Sequence, residues 1–499
     1  MVLSESSRKH GPIAVVVALA WSLMARRTKI VATIGPASES PTMMQRMVEA
    51  GMDVARLGLA HDSLDLQIER FFRLRAAAEA AGRPLGILVD LPGPKVRAGA
   101  FPEGGLELSD GQRLRLVPGT GRSTAEVVEV DYEGLLDDVQ VGDLLMFGDG
   151  SVVVAVRERD GGALSVEVDH GGHLEGRPGV HVPSDRLRTP TPTPADLRML
   201  DAFVEVGVDM VAVSFVRSAH DVRRVGTEPH PRGPLVIAKV ETRAAVENLE
   251  GIVAASGAIM VARGDLGAEF PIEELPHLQK RIIRKCIALG RPVITATQML
   301  ESMIHAGTPT RAEASDVANA VFDGSSAVML SGETAIGHDP VGTVRTMARI
   351  AGRADQEFDY VGWAPQLSQL HAGGQAAGDA QVTDAMTMAA WRAATEVRAS
   401  AILCLSRSGF TVRAIARFRP QTKILGFSAD ERTVRQLTLS WGATPIPLPD
   451  HGDAHSQVDA AIEIARARGH IRSGDTVAVL AGSHGGSTAT DQLRLVHVP

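Results

Sequence analysis

The segment LVIAKVE, residues 235–241, places an apolar run in front of a lysine and a glutamate that stand two positions apart. A second run, AIMVARGD at residues 258–265, ends in the same way with Arg263 and Asp265. Because side chains alternate along a strand, each pair is predicted to share one face of a strand end. Carboxylates suit Mg2+, and lysine and arginine suit a phosphoryl group. The two segments together indicate a phosphoryl-transfer site.

Similar apolar runs recur along the chain and alternate with helix-like stretches such as residues 41–50 and 274–289. Their near-continuous apolar character predicts a closed parallel barrel of the α/β class, with its chemistry at the C-terminal ends of the strands. The predicted strands are residues 29–33, 53–57, 85–90, 210–214, 235–239, 258–262, 292–296 and 327–331. Polar residues cluster at these strand ends, namely Arg56, Asp90, Ser214, Lys239, Glu241, Arg263, Asp265, Thr297, Ser331 and Glu333.

Two further parts of the chain differ from the barrel in their pattern. Residues 95–187 alternate apolar and polar positions between Gly and Asp turns, which predicts a small antiparallel β-barrel domain that closes over the site as a lid. Residues 353–499 carry apolar runs at 399–404, 422–427 and 476–480, which predict an open α/β sheet. The (β/α)8 barrel is therefore assigned to residues 24–94 and 188–352.

Composition excludes several classes of function. The net charge of −8 and the lack of a basic run or an aromatic platform argue against nucleic-acid binding. Cys286 and Cys404 are the only cysteines, too few for a disulfide framework or a zinc site, which favours a reducing cytoplasm.

The N-terminus allows two interpretations. Arg8-Lys9 precedes an apolar run at residues 12–24 that resembles a short signal peptide but is too short for a convincing membrane span. The alternative, which we favour, is that Met24 is the natural start and that residues 1–23 are an upstream extension. An exported enzyme would be hard to reconcile with phosphoryl-transfer chemistry.

Long blocks of the sequence resemble the pyruvate kinase family in their order and spacing. They include VARGDLGA at 261–268, TATQMLESMI at 295–304, PTRAEASDVANAVFDGS at 309–325 and VMLSGETAI at 328–336. Shorter matches are TIGPASE at 33–39, GMDVARLG at 51–58 and, more loosely, LTLSWGA at 437–443. The resemblance spans nearly the whole chain after Met24 and implies transfer of a phosphoryl group from phosphoenolpyruvate to ADP, giving pyruvate and ATP in glycolysis.

The resemblance also implies a role for particular residues. Lys239 would neutralise charge on the phosphoryl group, while Glu241 and Asp265 would hold Mg2+ or Mn2+. The implied catalytic residues are Lys239, Thr297, Ser331 and Arg56, and the implied substrate-binding residues are Arg56, Lys239, Arg263, Gly264, Asp265 and Thr297. Which hydroxyl or water donates the proton to the enolate stays open. Members of the family are usually homotetramers, and the sequence predicts no association with a membrane.

The chain departs from the family where K+ is usually bound. Gly58 and Ala60 stand where Asn and Ser commonly bind K+, so that Asp90 is the one side-chain ligand left. Lys95 replaces the glutamate of K+-dependent members, and an ammonium group is a compact monovalent cation. Our hypothesis is that Lys95 makes the enzyme independent of K+. The loss of Asn at position 58 leaves nucleotide binding to His61, Arg97 and the lid residue Arg177.

The segment SRSGFTV at 406–412 resembles the loop that binds phosphorylated effectors in this family. The implied effector residues are Ser406, Arg407, Ser408, Gly409 and Thr411. A helix cap by Thr411 or Ser408 is the simpler alternative. The sequence does not decide between fructose bisphosphate, a sugar monophosphate and AMP.

The sequence allows two rival functions. One is another barrel enzyme of phosphoenolpyruvate or pyruvate, such as a metal-dependent aldolase or a dikinase, which would lack the full set of blocks or need a phosphohistidine domain. The other is a catalytically weak pyruvate kinase paralogue that acts as a metabolite-binding regulator, suggested by Gly58 and Ala60. Retention of four residues argues against the second rival, namely Lys239, Glu241, Asp265 and Thr297.

Overall fold

A computed structural model describes residues 26–148, 150–363, 367, 378–450, 454–482 and 490–499. The predicted N-terminal extension, with its signal-peptide alternative, lies outside these residues. Within the described ranges, the helices are all too short or too polar to cross a bilayer.

The described part of the chain begins with the first three strands of the barrel and two intervening helices. Ser40 caps the first helix through its side chain, Pro41 occupies an early helical position, and Gly51 ends it with φ of 120°, a value that glycine adopts readily. The elements are β1 Lys29–Thr33, α1 Pro41–Ala50, β2 Val54–Gly58, α2 Leu64–Ala80 and β3 Gly86–Leu91.

The inserted lid domain follows β3 and has a hydrophobic core of its own. Its elements are β4 Leu106–Leu108, β5 Arg113–Pro118, β6 Val127–Val130, α3 Leu135–Asp138, β7 Leu144–Phe147, β8 Val152–Asp160, β9 Ala163–His170, β10 Gly172–Leu174 and β11 Val180–His181. They form a six-stranded sheet in the order β11-β7-β8-β9-β5-β6 and a two-stranded sheet of β10 and β4. The prediction of a wholly antiparallel domain was wrong at one point, because β5 and β6 pair in parallel.

The remaining five barrel strands follow the lid. The helices and strands are α4 Pro194–Glu205, β12 Met210–Val213, α5 Ala219–Arg223, β13 Leu235–Val240, α6 Arg243–Glu247, α7 Leu249–Ala255, β14 Ala258–Ala262, α8 Arg263–Glu269, α9 Leu275–Ala288, β15 Val293–Ala296, α10 Arg311–Asp323, β16 Ala327–Leu330, α11 Gly332–Ala335 and α12 Pro340–Glu357. Short 3-10 turns cover Ile272–Glu274 and Glu301–Ile304.

The eight strands close into a parallel barrel in the order β1-β16-β15-β14-β13-β12-β3-β2, which confirms the predicted fold class. Its interior is packed with side chains such as Val31, Leu88, Ile237 and Met260, all fully buried. Both faces of each strand are covered, which explains why the strands read as continuous apolar runs. Their C-terminal ends meet at one rim, where the predicted site residues lie.

The C-terminal domain is an open α/β sheet. Its elements are α13 Asp379–Glu396, β17 Ala401–Leu405, α14 Phe410–Ala416, β18 Lys423–Ser428, α15 Glu431–Gln436, a 3-10 turn at Leu437–Leu439, β19 Ala443–Pro447, α16 Ala454–Ala467, β20 Thr476–Ala481 and β21 Gln492–His497. The strand order is β19-β18-β17-β20-β21, and β21 runs antiparallel to β20. The two edge strands, β19 and β21, were not predicted from the sequence. Pro445 and Pro447 obscured β19, because proline inside a run argues against a strand unless it lies at an edge.

His230 lies where the barrel meets the C-terminal domain. Its Nε2 atom is 2.8 Å from Nη2 of Arg413. Burial, with the positive charges of Arg413 and Arg291, lowers the pKa of His230 to about 3. The unfolded chain, in which this pKa is ordinary, therefore binds one more proton than the folded chain between about pH 3 and about pH 6.5. Folding stability is lost through this group as the pH falls across that window.

We expect His230→Gln to reduce the pH sensitivity of folding. Between pH 7 and pH 5 the free energy of unfolding of the wild type should fall by about 2 kcal/mol more than that of the variant, since only the wild type carries the unfolded-state protonation. Urea unfolding at the two pH values measures this difference. His277→Gln, which alters an exposed histidine, is the matched control. Equal pH dependence in His230→Gln and the wild type would contradict the prediction.

Candidate active site

Lys239 lies near the end of β13, among polar groups from three neighbouring strand ends. Its Nζ atom donates a hydrogen bond to Oγ of Ser214 at 2.8 Å and lies 3.2 Å from Oε2 of Glu241 and 3.6 Å from Oδ1 of Asp90. Burial by itself lowers the pKa of Lys239, but Asp90 and Glu241 outweigh burial and raise that pKa above its ordinary value. Lys239 is therefore a fixed cation in a largely buried position.

Glu241 follows β13 directly and is fully buried. Its Oε1 atom accepts a hydrogen bond from the backbone N–H of Phe215 at 2.6 Å, while Oε2 has no donor in hydrogen-bonding geometry, although Lys239 is close. Burial raises the pKa of Glu241 to about 7, against the opposing charge of Lys239 and with the help of Asp265. A buried carboxylate oxygen without a donor is costly unless a cation compensates it.

Glu241 and Asp265 together fit a divalent cation. Asp265 lies in the first turn of α8, and its charge acts on both Lys239 and Glu241. Among the described residues, no group of three or more acidic, histidine or cysteine side chains is placed to hold a metal ion. Two carboxylates with open positions suit Mg2+, which usually keeps several waters and takes substrate oxygens as further ligands. Such a pair would suit a divalent cation that is completed by other ligands, rather than a closed structural metal site.

The prediction that Arg263 and Asp265 share a strand face was wrong. Strand β14 ends at Ala262 and helix α8 begins at Arg263, so both residues are helical. Successive helical residues are turned by about 100°, which sends side chains two positions apart in different directions. Arg263 pairs with Asp316 on α10, whereas Asp265 acts on the charged groups around Lys239.

Arg263 organises the turn that carries Thr297. Its Nη1 atom contacts both carboxylate oxygens of Asp316 at 2.9 and 2.7 Å, and Nη2 donates to the carbonyl oxygen of Thr297 at 2.6 Å. Thr297 has a φ of 65°, uncommon for a β-branched residue, and its Oγ1 accepts from the backbone N–H of Gly264 at 2.9 Å. Arg263, Gly264 and Thr297 thus form one connected group, in which the arginine's donors are engaged by the protein.

Arg56 and Asp90 form the opposite side of the rim. Nε of Arg56 lies 2.7 Å from Oδ2 of Asp90, and its Nη1 donates to Oγ1 of Thr33 at 3.0 Å. Burial raises the pKa of Asp90, but the cations Lys239 and Arg56 outweigh burial and lower it overall. Asp90 is therefore an anion with two cationic partners.

The segment after β16 is fixed by a buried carboxylate. Glu333, with no exposed surface, accepts hydrogen bonds from the backbone N–H of Ser331 at 2.6 Å and of Leu300 at 3.0 Å. The sequence marked Glu333 and Ser214 as strand-end polar residues without a role and did not single out Asp316. The contacts of Glu333 with Leu300, of Ser214 with Lys239 and of Asp316 with Arg263 join different barrel segments, so no local signal could have found them.

The predicted nucleotide residues lie where the barrel meets the lid. Burial and the positive charges of Lys95 and Arg97 lower the pKa of His61, so both cations are close to its ring. Arg177 contacts Asp131 at 3.2 Å, and its carbonyl oxygen accepts a hydrogen bond from Arg97 at 3.3 Å. Lys95 is exposed, and the ion pairs that the described residues form with Asp90 come from Arg56 and Lys239 instead.

The predicted effector loop, residues 406–411, runs into the first turn of α14, which begins at Phe410. Gly409 is the N-cap residue, with φ of 73°, and no side chain caps this helix, so the cap by Ser408 or Thr411 that we considered is not formed. Thr411 instead shares a hydrogen bond of 2.5 Å with Oγ1 of Thr490 and lies 3.4 Å from Oγ of Ser406. Arg407 holds its neighbours through its carbonyl oxygen, which accepts from Oγ1 of Thr433 at 2.7 Å.

Comparisons with known proteins all find similarity to pyruvate kinases, and this similarity covers most of the chain. A family model described as "Pyruvate kinase, barrel domain" matches residues 25–344, and one described as "Pyruvate kinase, alpha/beta domain" matches residues 384–496. The pyruvate kinase of Corynebacterium glutamicum is 40% identical over 481 residues, covering 95% of this chain and 98% of the relative. That of Geobacillus stearothermophilus is 39% identical over 480 residues, covering 95% and 81%. A crystal structure of a pyruvate kinase from Cryptosporidium parvum superposes with a TM-score of 0.86 at 32% identity, over 95% of this chain and 96% of that one.

Proposed function

The chain belongs to the pyruvate kinase family, and from this premise we propose that it transfers the phosphoryl group of phosphoenolpyruvate to ADP in glycolysis. It is a phosphotransferase. The observation that carries the proposal is the contact of a buried, permanently charged Lys239 with Glu241, whose second oxygen has no hydrogen-bond donor. A cation beside a carboxylate pair is the arrangement that phosphoryl transfer needs, since catalysis there is mainly positioning and charge neutralisation.

In the proposed mechanism, Lys239 neutralises the charge that develops on the phosphoryl group between the two substrates. Its ammonium is pre-oriented by Ser214, so little reorganisation accompanies the reaction. Glu241 and Asp265 would hold the divalent cation, which supplies further positive charge to the phosphoryl oxygens when bound. Arg56 contributes a second fixed cation to the same rim and can pair with phosphate oxygens.

Loss of the phosphoryl group leaves the enolate of pyruvate, which takes a proton at carbon. We propose that Thr297 and Gly264 contact the substrate carboxylate and the reacting carbon, and that Thr297 and Ser331 belong to the hydroxyl and water relay that delivers the proton. Arg263 is proposed to act through Thr297, by holding its carbonyl oxygen, because the guanidinium is already engaged by Asp316. His61, Arg97 and Arg177 are proposed to bind the nucleotide beneath the lid.

An assay that couples pyruvate release to lactate dehydrogenase, with phosphoenolpyruvate, ADP and Mg2+ or Mn2+, tests the proposal. We expect turnover that requires all three components. The alternative, a weak paralogue that binds metabolites as a regulator, predicts negligible turnover together with tight binding of a phosphorylated effector. That pair of results would overturn the enzymatic proposal.

We further propose that the enzyme does not need K+, because Lys95 supplies the monovalent positive charge. Gly58 and Ala60 offer no side-chain oxygens to K+. Lys95 and Arg56 both lower the pKa of His61, which brings the lysine close to the rim where Arg56 pairs with Asp90. The Lys95 side chain is exposed, and its four-carbon stem lets the ammonium move toward Asp90 when the lid closes.

Restoring the family's residues is expected to restore the K+ requirement. A β-carbon added at Gly58 would meet Nη2 of Arg56 at 3.9 Å, an ordinary contact, so a larger side chain can be accommodated there. The rate of the wild type should change less than about twofold between potassium and sodium or Tris, whereas the triple variant G58N/A60S/K95E should gain about tenfold or more from K+. Steady-state rates across a K+ titration measure both. A steep K+ requirement in the wild type would refute the proposal.

The assembly, the effector and the compartment are also proposals. We propose a homotetramer, as is usual in the family, which analytical ultracentrifugation tests. The loop 406–411 is proposed to bind a phosphorylated effector, and a cytoplasmic location accords with the two buried free cysteines, Cys286 and Cys404.

A further inference from the structure

Buried arginines converge between the barrel and the C-terminal domain. Arg413 and Arg417 on or next to α14, and Arg419 just beyond it, are 2%, 6% and 3% exposed, and Arg291 reaches them from the turn between α9 and β15. With Ser440 and Trp441 they line a small, partly enclosed cavity, which we term the anion cavity. It lies away from the rim that carries Lys239.

The positive charge around the anion cavity is not balanced by the described residues. Asp384 is the carboxylate that forms an ion pair there, with Nη2 of Arg417 at 2.9 Å. Arg413 has no such partner among those residues, since its Nη2 donates to the carbonyl oxygen of Ser408 at 2.9 Å and contacts His230. Burial, reinforced by the charge of Arg291, lowers the pKa of Arg413 to about 9.

Arg419 is compensated by carbonyl oxygens and aromatic rings rather than by an anion. Its Nη2 donates to the carbonyl oxygen of Ser325 at 2.7 Å, and its guanidinium lies 4.8 Å from the centre of the Trp441 ring. Burial lowers the pKa of Arg419 to about 10, although Asp355 acts in the opposite sense. These contacts satisfy donors without neutralising the charge.

Several buried groups that line the anion cavity have no hydrogen-bond partner in the protein. They include Nε and Nη1 of Arg413, Nε of Arg291, Nε of Arg417, Oγ of Ser440 and Nε1 of Trp441. All of them can donate, and a buried donor without an acceptor costs free energy, more so when it belongs to a charged group. Water would satisfy the donors but would leave the positive charge in place. An oxyanion satisfies both.

We infer that the anion cavity is a binding site for a small inorganic oxyanion of the size of phosphate, held chiefly by Arg413 and Arg291. The cavity volume open to a water-sized sphere is about 20 Å³. That space exceeds what one water needs and is far too small for a nucleotide or a sugar phosphate. The site is also distinct from the loop 406–411, although Arg413 joins the two through the carbonyl oxygen of Ser408.

Binding of inorganic phosphate to the full-length protein tests the inference. Thermal unfolding and isothermal titration calorimetry are run with sodium phosphate and with sodium chloride at equal ionic strength. Phosphate can also bind at the active site or at the effector loop, so each measurement is repeated in Lys239→Met and in Ser408→Ala. We expect a phosphate-specific rise in the unfolding temperature that persists in both variants.

Arg413→Gln and Arg291→Gln should each weaken phosphate binding at least tenfold, whereas Arg345→Gln, on an exposed part of α12, should not. Each cavity variant removes an unbalanced charge, so its unfolding temperature without phosphate should be unchanged or higher. The inference is overturned if phosphate stabilises both cavity variants as much as the wild type. It is equally overturned if chloride is as effective, or if Lys239→Met or Ser408→Ala abolishes the effect.

Discussion

Replacement of Lys239 by methionine is expected to lower kcat by about 10³-fold or more, because it removes the cation that we propose to face the phosphoryl group in the transition state. Methionine retains an unbranched chain and loses the charge. The ammonium is nearly inaccessible, with 12% of its side chain exposed, so solvent cannot replace it efficiently. The loss should fall on kcat more than on KM for phosphoenolpyruvate, since the charge acts on a group that changes during transfer.

The coupled assay measures this loss, and Lys285→Met provides the matched control. Lys285 is a partly exposed lysine on α9. It forms an ion pair with Glu250 at 3.0 Å and contacts none of the rim residues named above. Circular dichroism and thermal unfolding of both variants establish that they fold. A folded Lys239→Met enzyme that retains more than about a tenth of the wild-type rate would exclude the proposed role.

The second large effect is expected from Glu241→Gln, which should raise the concentration of Mg2+ or Mn2+ needed for half-maximal binding by about 100-fold. Glutamine preserves the shape and can still accept the hydrogen bond from Phe215 through its carbonyl oxygen. It replaces the donor-free Oε2 by an amide NH2 group, which cannot bind a metal and lies next to the Lys239 ammonium. A single carboxylate, Asp265, then remains.

Direct Mn2+ titration followed by electron paramagnetic resonance measures this affinity without any turnover. Glu273→Gln, at an exposed position before α9, is the control for loss of one negative charge. An unchanged Mn2+ affinity in Glu241→Gln would show that this carboxylate is not a metal ligand.

Much of the fold could be predicted from the sequence because the barrel strands are buried on both faces. That burial leaves an unbroken apolar signature in each strand, and the predicted strands differ from the observed ones by at most one residue at either end. Edge strands carry a weaker signature. In β19 the prolines hid the pattern, and β21 is hydrogen-bonded to the sheet along one edge only, through β20.

The residue types of the site could be predicted from the sequence. The directions in which their side chains point could be predicted less well. Lys239 and Glu241 adjoin as the sequence indicated. Arg263 and Asp265 do not share a face, because α8 starts without a loop after β14. Alternate residues share a face only as long as the chain remains a strand. The segment RGDLGAE has no clear helix or strand propensity, so the sequence does not show where the strand ends.

The sequence by itself determined the barrel, the inserted lid, the family and the chemical types of the rim residues. Each of these follows from the local periodicity of apolar residues or from contiguous sequence blocks. The tertiary structure alone decided which groups meet. It brought Ser214 to Lys239, Asp316 to Arg263, and Arg291 to Arg413. These partners are separated by 25 to 122 positions, so their contact depends on strand register and domain packing, which leave no mark on the sequence near either residue.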